Sequence, residues 1–85
     1  MHRTTPRFWR HYRALPKEVQ KAAKDCYQLL KADPAHPSLH LKKVGRYWSV
    51  RAGAAHRSLG VEIPEGILWF WIGTHDEYEK LIGQG

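Results

Sequence analysis

Cysteine is almost missing from this chain. Cys26 is the single one among 85 residues, so no disulfide can close within the chain, and a reducing compartment, the cytoplasm, is expected. Cys/His spacing of the metal-binding kind is missing too. Neither His36 with His40 nor His75 with Cys26 forms a recognised ligand set, and neither a metal nor another cofactor is expected. There is no Gly-rich phosphate loop. The longest apolar run is the six residues Ile67–Ile72, far short of the roughly 20 needed to cross a bilayer, and the basic N-terminus has no signal-type apolar segment. No membrane partner is expected. Acidic residues are scarce: eight Asp and Glu face fourteen Lys and Arg, a net charge of +6 and a pI near 9.8. In a chain this small, that excess favours a polyanionic partner, RNA or DNA ahead of a membrane.

Aromatic residues are plentiful. Four Trp, four Tyr and two Phe give one short domain, residues 1–85, enough apolar area for a modest core. Met1 to Thr4 carry no pattern and read as loosely ordered. Thr5 and Pro6 then have the signature of a helix start, and Phe8, Trp9, Tyr12 and Leu15 repeat at helical spacing. Pro16 separates this helix from a second, in which Val19, Ala22, Ala23, Cys26, Tyr27, Leu29 and Leu30 share a face as far as about Lys31. Its lysines, Lys17, Lys21, Lys24 and Lys31, lie elsewhere on the cylinder and read as a solvated face. Asp33 to Pro37 is a connecting loop.

From Ser38 the period changes to two. Strands are expected at Ser38–Val44, Tyr47–Ala52, His56–Ile63 and Ile67–Ile72, separated by turns at Gly45-Arg46, Gly53–Ala55 and Pro64–Gly66. The last strand is apolar without alternation, which implies an interior position covered on both faces. Gly73 closes it, and Thr74-His75-Asp76-Glu77 has capping-box spacing, so a short terminal helix begins at His75. The expected fold class is α+β: two N-terminal helices packed on one face of a mainly antiparallel four-stranded sheet, then a short C-terminal helix.

The sheet face away from the two helices is left with basic and aromatic residues: Lys42, Lys43, Tyr47, Arg51, and His56 or Arg57, with His75 and Tyr78 at the exit of the last strand. Cations hold phosphates, aromatic faces stack on unpaired bases, and an imidazole exchanges protons near neutral pH. Together these suit RNA scission, in which a ribose 2′-OH attacks the adjacent phosphate. Arginine neutralises the phosphate oxygens and histidine serves the leaving 5′-oxygen; DNA lacks the 2′-OH. Each residue also has a bland reading. His75 could be an inert surface residue, Tyr78 simply core with Leu81 and Ile82, and the two lysines a solvated edge. Arg57 alternates in phase with Leu59, which strict pleating turns toward the core unless a bulge near Gly53–Ala55 reverses it; His56 is then its competitor for the outward position. His2, His11 and His36 read as plain surface residues.

Several stretches resemble the RelE/ParE superfamily of toxins from bacterial type II toxin–antitoxin pairs. They are Phe8-Trp9, Leu15–Val19, His36–Val44, Tyr47–Arg51 and Trp71–Tyr78, and in this order they cover nearly the whole chain. The resemblance implies helices followed by an antiparallel sheet and, in many members, endoribonuclease cleavage of mRNA on the ribosome that inhibits translation. It also implies a cognate antitoxin covering the active face. Carried over by position, Lys42 and Lys43 match the basic strand before the turn, Arg51 and Arg57 the paired strand arginines, and His75 with Tyr78 the C-terminal region. The first strand of the family, ahead of the helices, has almost no room here. The superfamily also holds non-enzymatic inhibitors of DNA gyrase, and a catalytically silent basic nucleic-acid-binding module is a further alternative. The histidine at position 75 favours the mRNA interferase.

Overall fold

The computed structural model describes residues 2–84. Its elements, in chain order, are β1 (His2–Thr4), α1 (Pro6–Arg13), α2 (Lys17–Ala32), a single 3-10 turn (Pro37–Leu39), β2 (Lys42–Val44), β3 (Tyr47–Arg51), β4 (His56–Ile63), β5 (Gly66–Thr74) and α3 (His75–Gln84). The strands form one sheet in the order β1-β5-β4-β3-β2, with β1 parallel to β5 and every other pair antiparallel. The class is therefore α+β and the sheet mainly antiparallel, as the sequence implies, but it has five strands rather than four.

The extra strand is the N-terminus. His2, Arg3 and Thr4 pair with Ile67, Leu68 and Trp69, and the Thr5 amide continues the ladder to the Trp69 carbonyl at 3.1 Å. Residues 2–4 are thus not loose, and a short first strand does precede the helices. No apolar pattern marks it because its stability comes from the backbone edge that β5 offers and from one side-chain lock. The Trp69 indole N–H donates to His2 Nδ1 at 3.1 Å, with the two rings stacked at 6.1 Å. Burial, with Lys31 nearby, lowers the His2 pKa and keeps that nitrogen free to accept.

Thr5 caps α1 by accepting from the Phe8 amide at 3.0 Å, with Pro6 at the first turn. At the corner that follows, Tyr12 Oη donates to the Gln20 carbonyl at 3.1 Å and Gln20 Nε2 to the Leu15 carbonyl at 2.9 Å, fixing α2 against α1. Helices α1 and α2 cover one face of the sheet, where Phe8, Ala23 and Leu30 meet Val50, Ala52, Trp69 and Ile72 in the main core. The strand expected at 38–44 is shorter, since Ser38 and Leu39 form the 3-10 turn and His40 adopts φ +49. His36 is no idle surface residue: its Nδ1 accepts from the Ser38 amide at 3.2 Å and caps that turn.

The second face of the sheet is not open. Helix α3 lies on it, burying Tyr78 against Leu59 and Trp71, with Tyr47, Phe70 and Ile82 around them. This revises the expectation that the face away from α1 and α2 is left to basic and aromatic residues. It also resolves Arg57: Leu59 faces α3 and not the main core, so its alternation partner Arg57 falls on the same side as Arg51 with no bulge at 53–55. The irregularity lies elsewhere, at Leu59/Gly60, where Leu59 pairs with Trp71 and Gly60 with Trp69. Phe70 is the extra residue. Strand β5 runs to Thr74, two residues beyond the expected last strand residue Ile72, before α3 begins. Among the described residues no helix is long and apolar enough to cross a membrane.

Candidate nucleic-acid-cleaving site

Strand register sets Arg51 and Arg57 at one end of the sheet, and α3 begins with His75 at the same end. Arg51 and Arg57 are direct cross-strand partners, and Gly73 follows in the same row on β5. Glycine is needed there because the Trp71 ring and Glu77 fill the place of a side chain. A Cβ would come within 2.4 Å of the Trp71 ring and 3.0 Å of Glu77 Oε1. Directly opposed like charges on one sheet face destabilise the pair, so this row is better suited to an anion than to being empty. Both arginines are half-buried. Arg51 is steadied by its Nε donating to the Gly53 carbonyl at 3.2 Å, which leaves its outer nitrogens free for a ligand.

His75 reaches the same end from the other side. Its amide donates to the Ala55 carbonyl at 2.9 Å, tying the first residue of α3 to the turn between the two arginine strands. Its ring lies 5.7 Å from the Tyr78 ring, and Nε2 lies 3.5 Å from Glu79 Oε1. His56 opens β4 opposite Thr74. Lys42, paired with Ser49, shares the face of Arg51 at a distance of two residues along the sheet.

Other residues are placed elsewhere. Lys43 points to the opposite face, 3.9 Å from Glu62. Tyr47 sits four residues before Arg51, about 13 Å along the strand, with its ring against Phe70 at 5.8 Å and Arg46 stacked over it at 5.4 Å. Tyr78 is 3% exposed, so no base can stack on it in this conformation. Its hydroxyl and that of Ser49 are buried without a hydrogen-bond partner. Among the described residues no three potential ligands gather for a metal ion. A cavity of about 300 Å³ lies between α1, α2 and the sheet and is lined mostly by apolar groups; it belongs to the other face.

One participant was not legible as such. His11, on α1, is half-buried, with its ring 6.3 Å from Trp71. It and His56, on two different elements, both help to lower the pKa of Glu77. The signal available was its place in α1, three residues after the buried Phe8 and beside Tyr12, which turns it toward the sheet edge rather than to water. Glu77 completes the capping box: its Oε1 accepts from the Thr74 amide and hydroxyl, both at 3.0 Å, while Thr74 Oγ1 accepts from the Glu77 amide at 3.2 Å. Those bonds from Thr74 hold the Glu77 carboxyl below its usual range, and His11 and His56 add to the effect.

The cap therefore carries a pH signature. A carboxyl depressed in the folded state stabilises the fold above its unfolded value near 4.5, and that contribution fades as pH falls through the folded pKa. Thr74→Ala is expected to cost about 1 kcal/mol at pH 7, a fall in Tm of roughly 4–8 °C for a domain of this size. Thermal unfolding of Glu77→Gln should show a deficit at pH 7 that closes as the pH falls from 4.5 through the lowered folded pKa. A deficit independent of pH would show that the Glu77 charge plays no part.

No protein-family model matches the chain, and no curated protein matches it in sequence. Solved structures do match. A chain of the RelB–RelE antitoxin–toxin complex of Methanococcus jannaschii superposes with a TM-score of 0.71 at 12% identity, covering 93% of this chain and 96% of that one. The toxin–antitoxin complex RelBE2 of Mycobacterium tuberculosis gives 0.65 at 16% identity, covering 88% and 96%. The isolated RelE toxin of E. coli gives 0.61 at 13% identity, covering 99% and 96%. The chain has the RelE-like fold over essentially its whole length. The resemblance read from its motifs holds at the level of architecture.

Proposed function

We propose that this protein is the toxin of a type II toxin–antitoxin pair, a cytoplasmic endoribonuclease that cuts mRNA on the ribosome and is silenced by a cognate antitoxin. The observation that carries the reading is the direct pairing of Arg51 with Arg57 beside Gly73, with His75 tied by its backbone to the turn between them. The fold, shared with RelE structures of which two are toxin–antitoxin complexes, supports the same class.

The chemistry needs no resident cofactor. The two guanidiniums hold the scissile phosphate and neutralise charge on its non-bridging oxygens as the 2′-oxygen attacks. The new P–O2′ bond forms as the P–O5′ bond breaks, leaving a cyclic phosphate and a 5′-hydroxyl. One proton leaves the 2′-OH and one reaches the 5′-oxygen, and His75 handles one of these transfers. Tyr78 supports the histidine ring from below, in place of the base-stacking role its residue type suggests. Lys42 extends the cationic face along the backbone of the substrate.

His75→Gln keeps a hydrogen-bonding side chain but cannot titrate. It is expected to lower cleavage by about 10²–10⁴-fold and to relieve growth arrest on expression, while antitoxin capture by pull-down is unchanged. Full toxicity of this variant removes His75 from the mechanism. In cells, incorporation of labelled amino acid should stop before any DNA-damage signal rises; the reverse order marks a gyrase inhibitor instead.

A further inference from the structure

The net charge of this protein belongs to one side of the molecule. Residues 1–32 hold eight of the fourteen Lys and Arg with only Glu18 and Asp25 as acids, whereas residues 33–85 hold six basic and six acidic residues. The whole excess of +6 thus sits in β1, α1 and α2, on the sheet face opposite α3. The half that carries Arg51, Arg57 and His75 is neutral overall.

Within that layer the lysines of α2 are ordered. At 100° per residue, Lys17, Lys21, Lys24 and Lys31 fall within an arc of about 80° and span about 21 Å along the helix. All four are exposed. The centre of the arc lies about 120–140° around the helix from Ala23 and Leu30, which bury the other side of α2 in the main core. Glu18 and Asp25 fall on one flank, about 90° away, so no acid interrupts the ridge. Arg7, Arg10 and Arg13 are exposed on the neighbouring helix. A solvated surface ordinarily mixes charges of both signs. This one does not, although the rest of the molecule does.

We infer that the outer ridge of α2 is a second nucleic-acid surface, one that grips the phosphate backbone of double-helical RNA while the opposite face attends to the strand to be cut. The commitment to RNA rests on the reaction proposed above. Commitment to a duplex follows from what the ridge lacks. Unpaired bases are held by stacking on aromatic faces, and the ridge presents none, since the Tyr27 ring lies beneath Lys31 Nζ at 5.0 Å. A membrane surface would need apolar side chains beside the cations, and Gln28 is the residue that fills the remaining place on the ridge. Lysine is a point charge without the fork of arginine, which fits a regular backbone better than a single defined carboxylate.

The test is binding, not cleavage, so that it can fail or succeed independently of the nuclease. In a His75→Gln background, a labelled 20-base-pair RNA hairpin is titrated by fluorescence anisotropy between 50 and 300 mM KCl. The variant K17Q/K21Q/K24Q/K31Q preserves helix propensity. It is expected to reduce the slope of log K against log salt by roughly 3–4, and to weaken binding near 100 mM at least ~100-fold. The pairs K17Q/K21Q and K24Q/K31Q should each account for about half of the change, which keeps the test sound if the fourfold variant is unstable. The proposal is overturned if the slope is unchanged, or if R51Q/R57Q removes the duplex binding instead. Equal affinity for a DNA duplex of the same length overturns the assignment to RNA. So does binding of anionic vesicles or polyglutamate through the lysine ridge with the hairpin unaffected.

Discussion

Replacing Arg51 and Arg57 together by glutamine is expected to abolish RNA cleavage and, at the same time, to make the protein more stable. The two effects have one cause. The residues are direct partners across β3 and β4, on the same face and both half-buried. Like charges so placed cost about 0.2–1 kcal/mol, a cost sustained in the free protein and relieved only when an anion lies between them. Removing both charges should raise Tm by a few degrees, at roughly 4–8 °C per kcal/mol. Cleavage should fall at least as far as the loss of one preorganised donor implies, about 10²–10³-fold. Arg57→Lys is the finer probe, because it keeps the repulsion but loses bidentate geometry; it should lower activity without the gain in Tm. Differential scanning calorimetry beside a cleavage assay reads both arms. A double variant that is inactive but also less stable would mean that the arginines serve the fold, and the site would then have to be sought elsewhere.

Helix and strand segments were legible because their local chemistry is unambiguous. Thr5-Pro6 and the Thr74–Glu77 box mark two helix starts by the backbone donors they satisfy, and the unalternating Ile67–Ile72 run reads as a strand covered twice. Three features were hidden, and each depends on a partner distant in the chain. Strand β1 is His-Arg-Thr, polar in every position, and exists because Trp69 offers an edge and an indole N–H. The direction of Arg57 could not be settled while Leu59 was assigned to the main core, since nothing local says that α3 makes a second core on the far face. The closeness of His11 to Trp71 and Glu77 depends on α1 lying beside β5, which is a matter of topology. For the site, alternation was enough to turn Arg51 to the face away from α1 and α2, and the capping box to set His75 at the start of α3. They were not enough to separate Lys42 from Lys43, whose opposite directions follow from register with Ser49 and Trp48.

A large loss of stability from a single methyl group is expected at Gly60. This residue sits at the one register shift between β4 and β5. A Cβ placed on it would lie 2.6 Å from Ile67 Cγ2, 2.8 Å from Trp69 Cε3 and 3.0 Å from the Leu68 carbonyl oxygen. Ile67 is half-buried and can turn aside, but Trp69 is 1% exposed and locked to His2, and the carbonyl is backbone. Overpacking of this kind costs about 1–3 kcal/mol, of a total that for a chain of this length is roughly 4–13 kcal/mol. Gly60→Ala should therefore lower Tm by roughly 5–20 °C. Gly83→Ala is the control, because nothing lies within 4 Å of its Cβ position and alanine favours the helix by up to about 1 kcal/mol. The consequence for function follows from where the bulge aims β5. With Phe70 as the extra residue, Trp71 turns to the α3 side and joins Leu59 and Tyr78 beneath His75. A methyl at position 60 that shifts the bulge displaces this support, so the folded fraction of Gly60→Ala should cleave more slowly than its population alone implies. If specific activity per folded molecule stays at the wild-type level while Tm falls, the second core carries stability without positioning the histidine. An unchanged Tm would instead mean that β4 and β5 pair in a different register.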